Sequence, residues 1–327
     1  TRASFSRVKP KSITMEFPPL LLRLPPKQVA VEGREYPLTV VARVYDIGAV
    51  SIGFVLEDPE GQSLTLQNLA LYFAGQKGLD PLFTTSLHDI RDILQPHIQN
   101  LFMDPAFFED YTILITESID DAVDPVTLLL GENRTFSPQT RADVLKHSLS
   151  YGVDDLAILT WDTALLISKE PVGDLIELIE FANVQSLELR YYDKVLTSQM
   201  ERMYDDIELA DRSSRWRRLR QYHSIMSRLM EDQAEISEIT EKVDNLIKIT
   251  EDIFYARVYS AALDVLRISQ WRSSVSRKIG VIRENYRMLS DEVNIQYSHF
   301  LERVIIVLIA LEIAFVVGEA IGPLILG

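Results

Sequence analysis

The run PLTVVARVYDIGAVSIGFVLED, residues 37–58, sets the architecture of the first half of this chain. Two stretches rich in Val, Ile, Leu and aromatic residues, LTVVARVYD and AVSIGFVLED, stand on either side of Ile47-Gly48, which is the pattern of a β-hairpin. Working outward, SLTLQNLALYFAG (63–75) and the stretch 85–102, with Leu87, Ile90, Ile93, Leu94 and Ile98, carry apolar residues at helical spacing. DYTILITESI (110–119) reads as a strand, followed by an acidic loop containing Pro125. QTRADVLKHSL (139–149) reads as a helix, and LAILTWDTALLIS (156–168) as a second hairpin turning near Trp161-Asp162. Residues 37–170 are therefore expected to form an α+β domain, preceded by a basic tail over residues 1–36.

After Pro171 almost no proline or glycine interrupts the chain until Gly280, and long helices are the economical expectation for 171–302. Ala182, Ser186, Leu189, Asp193, Leu196, Met200, Met203 and Ile207 step by four and three. So do Ile225 to Ile253, and a third run from Ile268 to Phe300. Such spacing suits a coiled-coil-like bundle, within one chain or between chains, whose polar seam residues Ser186, Asp193, Asp232 and Gln296 would set the register.

The closing segment 303–327, RVIIVLIALEIAFVVGEAIGPLILG, is expected from sequence to be a single C-terminal transmembrane helix. With Arg283, Arg287 and Arg303 ahead of it, the large domain is expected on the cytoplasmic side of a bacterial inner membrane or the matrix side of a mitochondrial one. Glu312 and Glu319, seven residues apart, lie on nearly one face, and Gly318 and Gly322 form a G-x-x-x-G pair. These four residues are the expected contacts for helix association, sheltering the two carboxylates in a homo-oligomer. An alternative is a ring of Glu312 side chains lining an ion path.

Composition narrows the chemistry. The chain has 327 residues and no cysteine, which removes thiolate metal sites, disulfides and cysteine nucleophiles. Its net charge of −15 argues against a free nucleic-acid binder and against DNA as a partner. The basic cluster RSSRWRRLRQYH (212–223) offers Arg212, Arg215, Arg217, Arg218 and Arg220 around Trp216, a patch suited to anionic lipid headgroups, or to RNA phosphates such as those of a ribosome. The plainer alternative is a solvated helix whose arginines pair with Asp205, Asp206, Glu208 and Asp211.

Enzymatic motifs are sparse. DDAVD (Asp120, Asp121, Asp124) has the D-D-x-x-D spacing that holds Mg²⁺ against a diphosphate when it lies on a helix, but here it follows a strand and meets Pro125, as an acidic loop would. Ser51 in GAVSIG does not fit a nucleophile elbow, and AGQKG (74–78) lacks the length of a phosphate loop. The five histidines, at 88, 97, 147, 223 and 299, have no metal-ligand partners at helical spacing. No catalytic residue, cofactor or metal is expected, and a Mg²⁺-dependent phosphate-acting enzyme stands third behind a scaffold and an ion-conducting assembly.

LERVIIVLIALEIAF (301–315), through Leu301, Glu302, Ile305, Ile306, Leu308, Ile309 and Glu312, resembles the C-terminal signature of the Required for Meiotic nuclear Division family. VYDIGAVSIGFV (44–55) is similar to that family's early hydrophobic hairpin around Gly48 and Val50, and HSLSYGVDDLAIL (147–159) to the stretch before its central helix. The resemblance implies a divergent member: an oligomeric, single-pass inner-membrane protein with a soluble α+β domain, linked in mitochondria to support of translation. It supplies no catalytic residues.

Overall fold

The computed structural model describes residues 5–7, 18–58, 61–74, 79–99, 101–211, 227 and 253–325. The chain divides into two compact units, residues 1–192 with 242–273, and residues 193–241 with 274–327.

In the first unit, β1 (Phe5–Arg7), β2 (Leu20–Arg23), β3 (Lys27–Val31), β4 (Arg34–Val44) and β5 (Val50–Leu56) form an antiparallel sheet of order β1-β2-β4-β3, with β5 on the other side of β4. The expected hairpin is β4–β5, paired from Leu38↔Leu56 to Val44↔Val50. Its turn needs Gly48, whose φ of 95° is open to glycine at little cost. Along β4, Tyr36, Leu38, Val40 and Ala42 are buried while Glu35, Pro37 and Thr39 are exposed, the alternation of a sheet with one covered face. Helices α1 (Ser63–Phe73) and α2 (Asp80–Leu94) supply Leu69, Ile90 and Leu94 to the clusters beneath that face.

Residues 20–23 and 27–31, within the stretch read above as a basic tail, form strands β2 and β3 of this sheet. The prolines that flank them, at 18, 19, 25 and 26, fall outside the strands and so break no ladder.

The second sheet of this unit has the order β6-β9-β8-β7, from β6 (Thr112–Thr116), β7 (Ser148–Leu149), β8 (Leu156–Leu159) and β9 (Thr163–Ile167). The β6–β9 pair is parallel and the others antiparallel. Ala157, Ile158 and Leu159 are all buried, as are Ala164, Leu165 and Leu166, because both faces are covered. One face packs on Leu178, Ile179 and Ala182 of α5 (Gly173–Asp211) and on Val258, Tyr259 and Ala262 of α6 (Ile253–Val265). The other meets Ala70 of α1 and Leu128 and Leu129 of α3 (Pro125–Leu130).

Helix α3 begins where sequence suggested a loop. Pro125 occupies its first turn, where a missing N–H costs nothing, and Asp124 caps it by accepting from the Val126 N–H. Gly131 ends it at φ 61°, and a Cβ there would collide with the Cβ of Ala74. Helix α4 (Pro138–Val144) repeats the device, with Ser137 accepting from the Thr140 N–H at 3.1 Å.

The last helix, α7 (Ile268–Ile325), follows a break at Arg267, where φ is 56°. It passes through Gly280 without interruption. In the second unit, α5 from Asp193 onward buries Leu196 and Met203, and α7 from Ser274 onward buries Val275, Ile279 and Ile282. Ser274 Oγ donates to Asp193 Oδ1 at 2.7 Å. Lys278 Nζ lies 2.7 Å from the same oxygen and donates to Thr197 Oγ1 at 2.5 Å and to the Asp193 carbonyl at 3.0 Å. These bonds tie α5 to α7 at one level, and a coiled coil is not shown by them. The second expected seam, Ile225 to Asp232 and on to Thr250, lies outside the described residues.

The expected transmembrane helix requires correction. Among the described residues no helix is long and apolar enough to cross a membrane, which overturns the transmembrane, inner-membrane and integral single-pass expectations together. The apolar run of α7 whose side chains are described, Val304 to Ile313, rises about 15 Å, half of a hydrocarbon core of roughly 30 Å. It also contains Glu312 and follows directly on Glu302 and Arg303. The architecture is a mixed α/β unit together with long helices.

Candidate functional site

Three charged clusters stand out among the described residues, and each joins one element to another. In the first, Arg43 of β4, Tyr45 just beyond its end and Ser51 of β5 face two carboxylates one turn apart on α5. Arg43 donates through one guanidinium nitrogen to Glu180 at 2.5 Å and through the other to Glu177 at 3.2 Å. Tyr45 Oη donates to Glu180 at 3.2 Å, and Ser51 Oγ donates to the same Oε1. Arg43 and Ser51 are cross-strand partners, which is why both reach one carboxylate.

Burial opposes the Arg43 charge, but Glu180 and Glu177 outweigh it and raise its pKa. Burial pushes the Glu177 carboxyl up, helped by Glu180 and Asp174 and opposed by Arg43. Tyr45 is held well above the usual phenol range by burial and by Glu180, so its hydroxyl remains a donor. Ser51, considered above as a nucleophile, thus spends its proton on a carboxylate already held by an arginine. Sequence reasoning missed Arg43, Glu177 and Glu180. The only available signal was an arginine in an otherwise apolar strand, which needs a counterion wherever the strand is covered.

The second cluster contains the D-D-x-x-D motif. Asp124 is the cap of α3 and receives two bonds from Arg141, at 2.6 and 2.8 Å. The Arg141 hydrogen bond leads the causes that hold its carboxyl below the usual range. Asp120 and Asp121 are exposed, and the Asp120 N–H donates to Ser63 Oγ. Among the described residues no group of three or more His, Asp or Glu side chains could hold a metal ion. The third cluster is the Asp193–Ser274–Lys278 knot. Burial would raise the Asp193 carboxyl, yet the bonds from Lys278 and Ser274 and the Lys278 charge leave it lowered.

Helix α7 leaves an apolar surface open. From Leu301 to Ile313 of α7, Leu301, Val304 to Ile309, Leu311 and Ile313 are each 38–61% exposed, with Glu312 exposed among them. Of the four residues expected to associate helices, Glu312 therefore lies on an uncovered apolar surface. The surroundings of Gly318, Glu319 and Gly322, beyond Ile313, lie outside the described residues, as do Arg212, Arg215, Trp216, Arg217, Arg218 and Arg220.

Comparison with known proteins places the mixed α/β part in a class. Residues 1–173 match the family described as "Uncharacterized protein MJ0711, N-terminal domain", and the chain belongs to that family. A particular relative is the Uncharacterized protein MJ0711 of Methanocaldococcus jannaschii, 26% identical over 184 residues, covering 55% of this chain and 54% of that protein. The chain thus spans about half the length of the curated relative it matches. No solved structure matches. Membership of the Required for Meiotic nuclear Division family is not confirmed by these comparisons.

Proposed function

We propose that this protein is a homo-oligomeric scaffold, displaying its mixed α/β unit from an assembly made by its long helices and performing no catalysis of its own. The observation that carries this reading is the apolar surface of α7 between Leu301 and Ile313, where large aliphatic side chains stand in water. A soluble monomer rarely exposes so continuous a patch, and burying it would contribute roughly 25 cal/mol per Å². The charged clusters support the same reading from the other side, since Arg43, Asp124 and Lys278 are each engaged in joining elements.

Light scattering on the full chain at micromolar concentration tests the reading. A particle several times the 37.4 kDa chain mass is expected. The double substitution L308D/I309D should shift it toward one chain while leaving the far-ultraviolet circular dichroism unchanged. A wild-type particle of one chain mass across that range would refute the scaffold.

A further inference from the structure

We infer that joining copies through the apolar surface of α7 takes up a proton at Glu312, so that the assembly tightens as pH falls and loosens as it rises. This rests on the self-association proposed above and names what regulates it, whatever the number of copies.

Glu312 is surrounded on its own helix by large aliphatic side chains. Leu308 and Ile309 lie one turn before it and Leu311 and Ile313 on either side, and all four are 50–61% exposed. Every residue from Leu301 to Ile313 is exposed, so the carboxylate stands in water in the single chain. Successive residues turn by about 100°, which sets Leu308 about 40° to one side of Glu312 and Ile309 about 60° to the other. A contact that covers both therefore takes the carboxylate out of water. Glu302 is placed differently. It points about 80° round from Glu312, on the Ile309 side, almost three turns nearer the polar part of the helix. There it follows His299, whose Nδ1 lies 3.4 Å from its carboxylate, and precedes Arg303, so it can keep its water.

A carboxylate that leaves water needs a cation or a proton. Among the described residues, the nearest ionisable side chains along α7 are Arg303, Glu302 and His299. Arg303 is nine residues back, about 13.5 Å along the axis, and points to the opposite side of the helix. His299 is further away and about 140° round. When the Leu301–Ile313 surfaces of two copies meet, Arg303 and His299 of each stay on the side turned away, and neither reaches the other copy's Glu312. The proton is then the available compensation, because desolvation favours the neutral acid. The sign follows. Association is strongest at low pH and is lost as pH rises through the range in which the covered carboxyl gives up its proton.

The test is sedimentation equilibrium of the full chain, E312Q and E302Q from about pH 6 to about pH 8.5, at roughly 0.1 and 0.5 M salt. That range stays above the sequence pI of about 4.8, where loss of net charge alone would draw chains together. For the native chain the dissociation constant should rise by up to about tenfold per pH unit for each proton released. The rise should persist at the higher salt, which screens charges left in water. E312Q, which carries no titrating proton at this position, should lose that slope and assemble at the alkaline end as tightly as the native chain does at the acid end. E302Q should keep the native profile. A flat native profile, or an E312Q slope equal to the native one, would overturn the proton coupling while leaving self-association in place. Native chain and E312Q both sedimenting as single chains across the whole range would overturn both.

Discussion

Removing the Arg43 side chain puts the tie between the first sheet and α5 to a quantitative test. Arg43→Met keeps much of the aliphatic stem but leaves Glu177 and Glu180, one turn apart on α5, without their counterion. Their side chains are 19% and 17% exposed, so water can recover only part of the lost interaction. Breaking a fully buried pair costs about 3–5 kcal/mol, and discounting for the exposed fifth leaves about 2–4 kcal/mol. In a unit whose total stability is on the order of 5–15 kcal/mol, a urea slope of about 2 kcal/mol per molar makes the midpoint fall by roughly 1–2 M. Urea titration followed by the fluorescence of Trp161 and Trp271, both in this unit, measures it.

The control is the triple variant R43M/E177Q/E180Q, whose neutral amides still accept from Tyr45 and Ser51. It should return to within about 1 kcal/mol of the native chain, because the penalty belongs to the unpaired charges. If R43M costs less than about 0.5 kcal/mol, or the triple variant is as weak as R43M, the electrostatic account of this tie is wrong.

Three further outcomes are expected. Because the Glu177 pKa is raised in the folded chain, its contribution to stability is complete below the unfolded value of about 4.3 and is lost as pH rises through the folded value. E177Q should therefore gain on the native chain across that rise, as read by denaturation midpoints taken at successive pH values. Asp193 behaves oppositely, since its pKa is lowered: its contribution is present above about 3.9 and lost as pH falls through the folded value. D193N should cost about 1.5–3 kcal/mol near pH 7 and flatten the acid limb, measured by helical circular dichroism during titration with urea. Gly131→Ala combines a left-handed backbone with a collision against Ala74 and should cost about 2–4 kcal/mol, visible as a lower thermal midpoint.

The elements that could be read from sequence were those whose own pattern suffices. The β4–β5 hairpin, α1, β6 and the β8–β9 hairpin fall where apolar spacing and Gly48 or Trp161-Asp162 placed them. Strands β2 and β3 did not announce themselves, because their identity lies in pairing with β4, and the prolines around Leu20–Arg23 looked like breakers when they were boundaries. Pro125 was likewise read as a stop when it starts α3, a distinction that depends on Asp124 being free to cap. The Arg43 cluster was invisible for a different reason. Its members lie more than 120 residues apart in sequence, and only the packing of α5 on the sheet brings them together. The closing apolar run was legible as apolar, but reading it as a membrane span went beyond what the described helix bears out.

The parallel pairing of Thr112–Thr116 with Thr163–Ile167 bears on the order in which the chain matures on the ribosome. The first sheet closes through neighbours in sequence, whereas β6 must wait some fifty residues for its partner, and non-local pairing of this kind is slow. Even then the nascent polypeptide is unfinished, because Val258, Tyr259 and Ala262 complete the same core from nearly a hundred residues further along. A fragment ending at residue 173, the family boundary, would emerge with an uncovered sheet, a natural substrate for chaperones until translation supplies its lid.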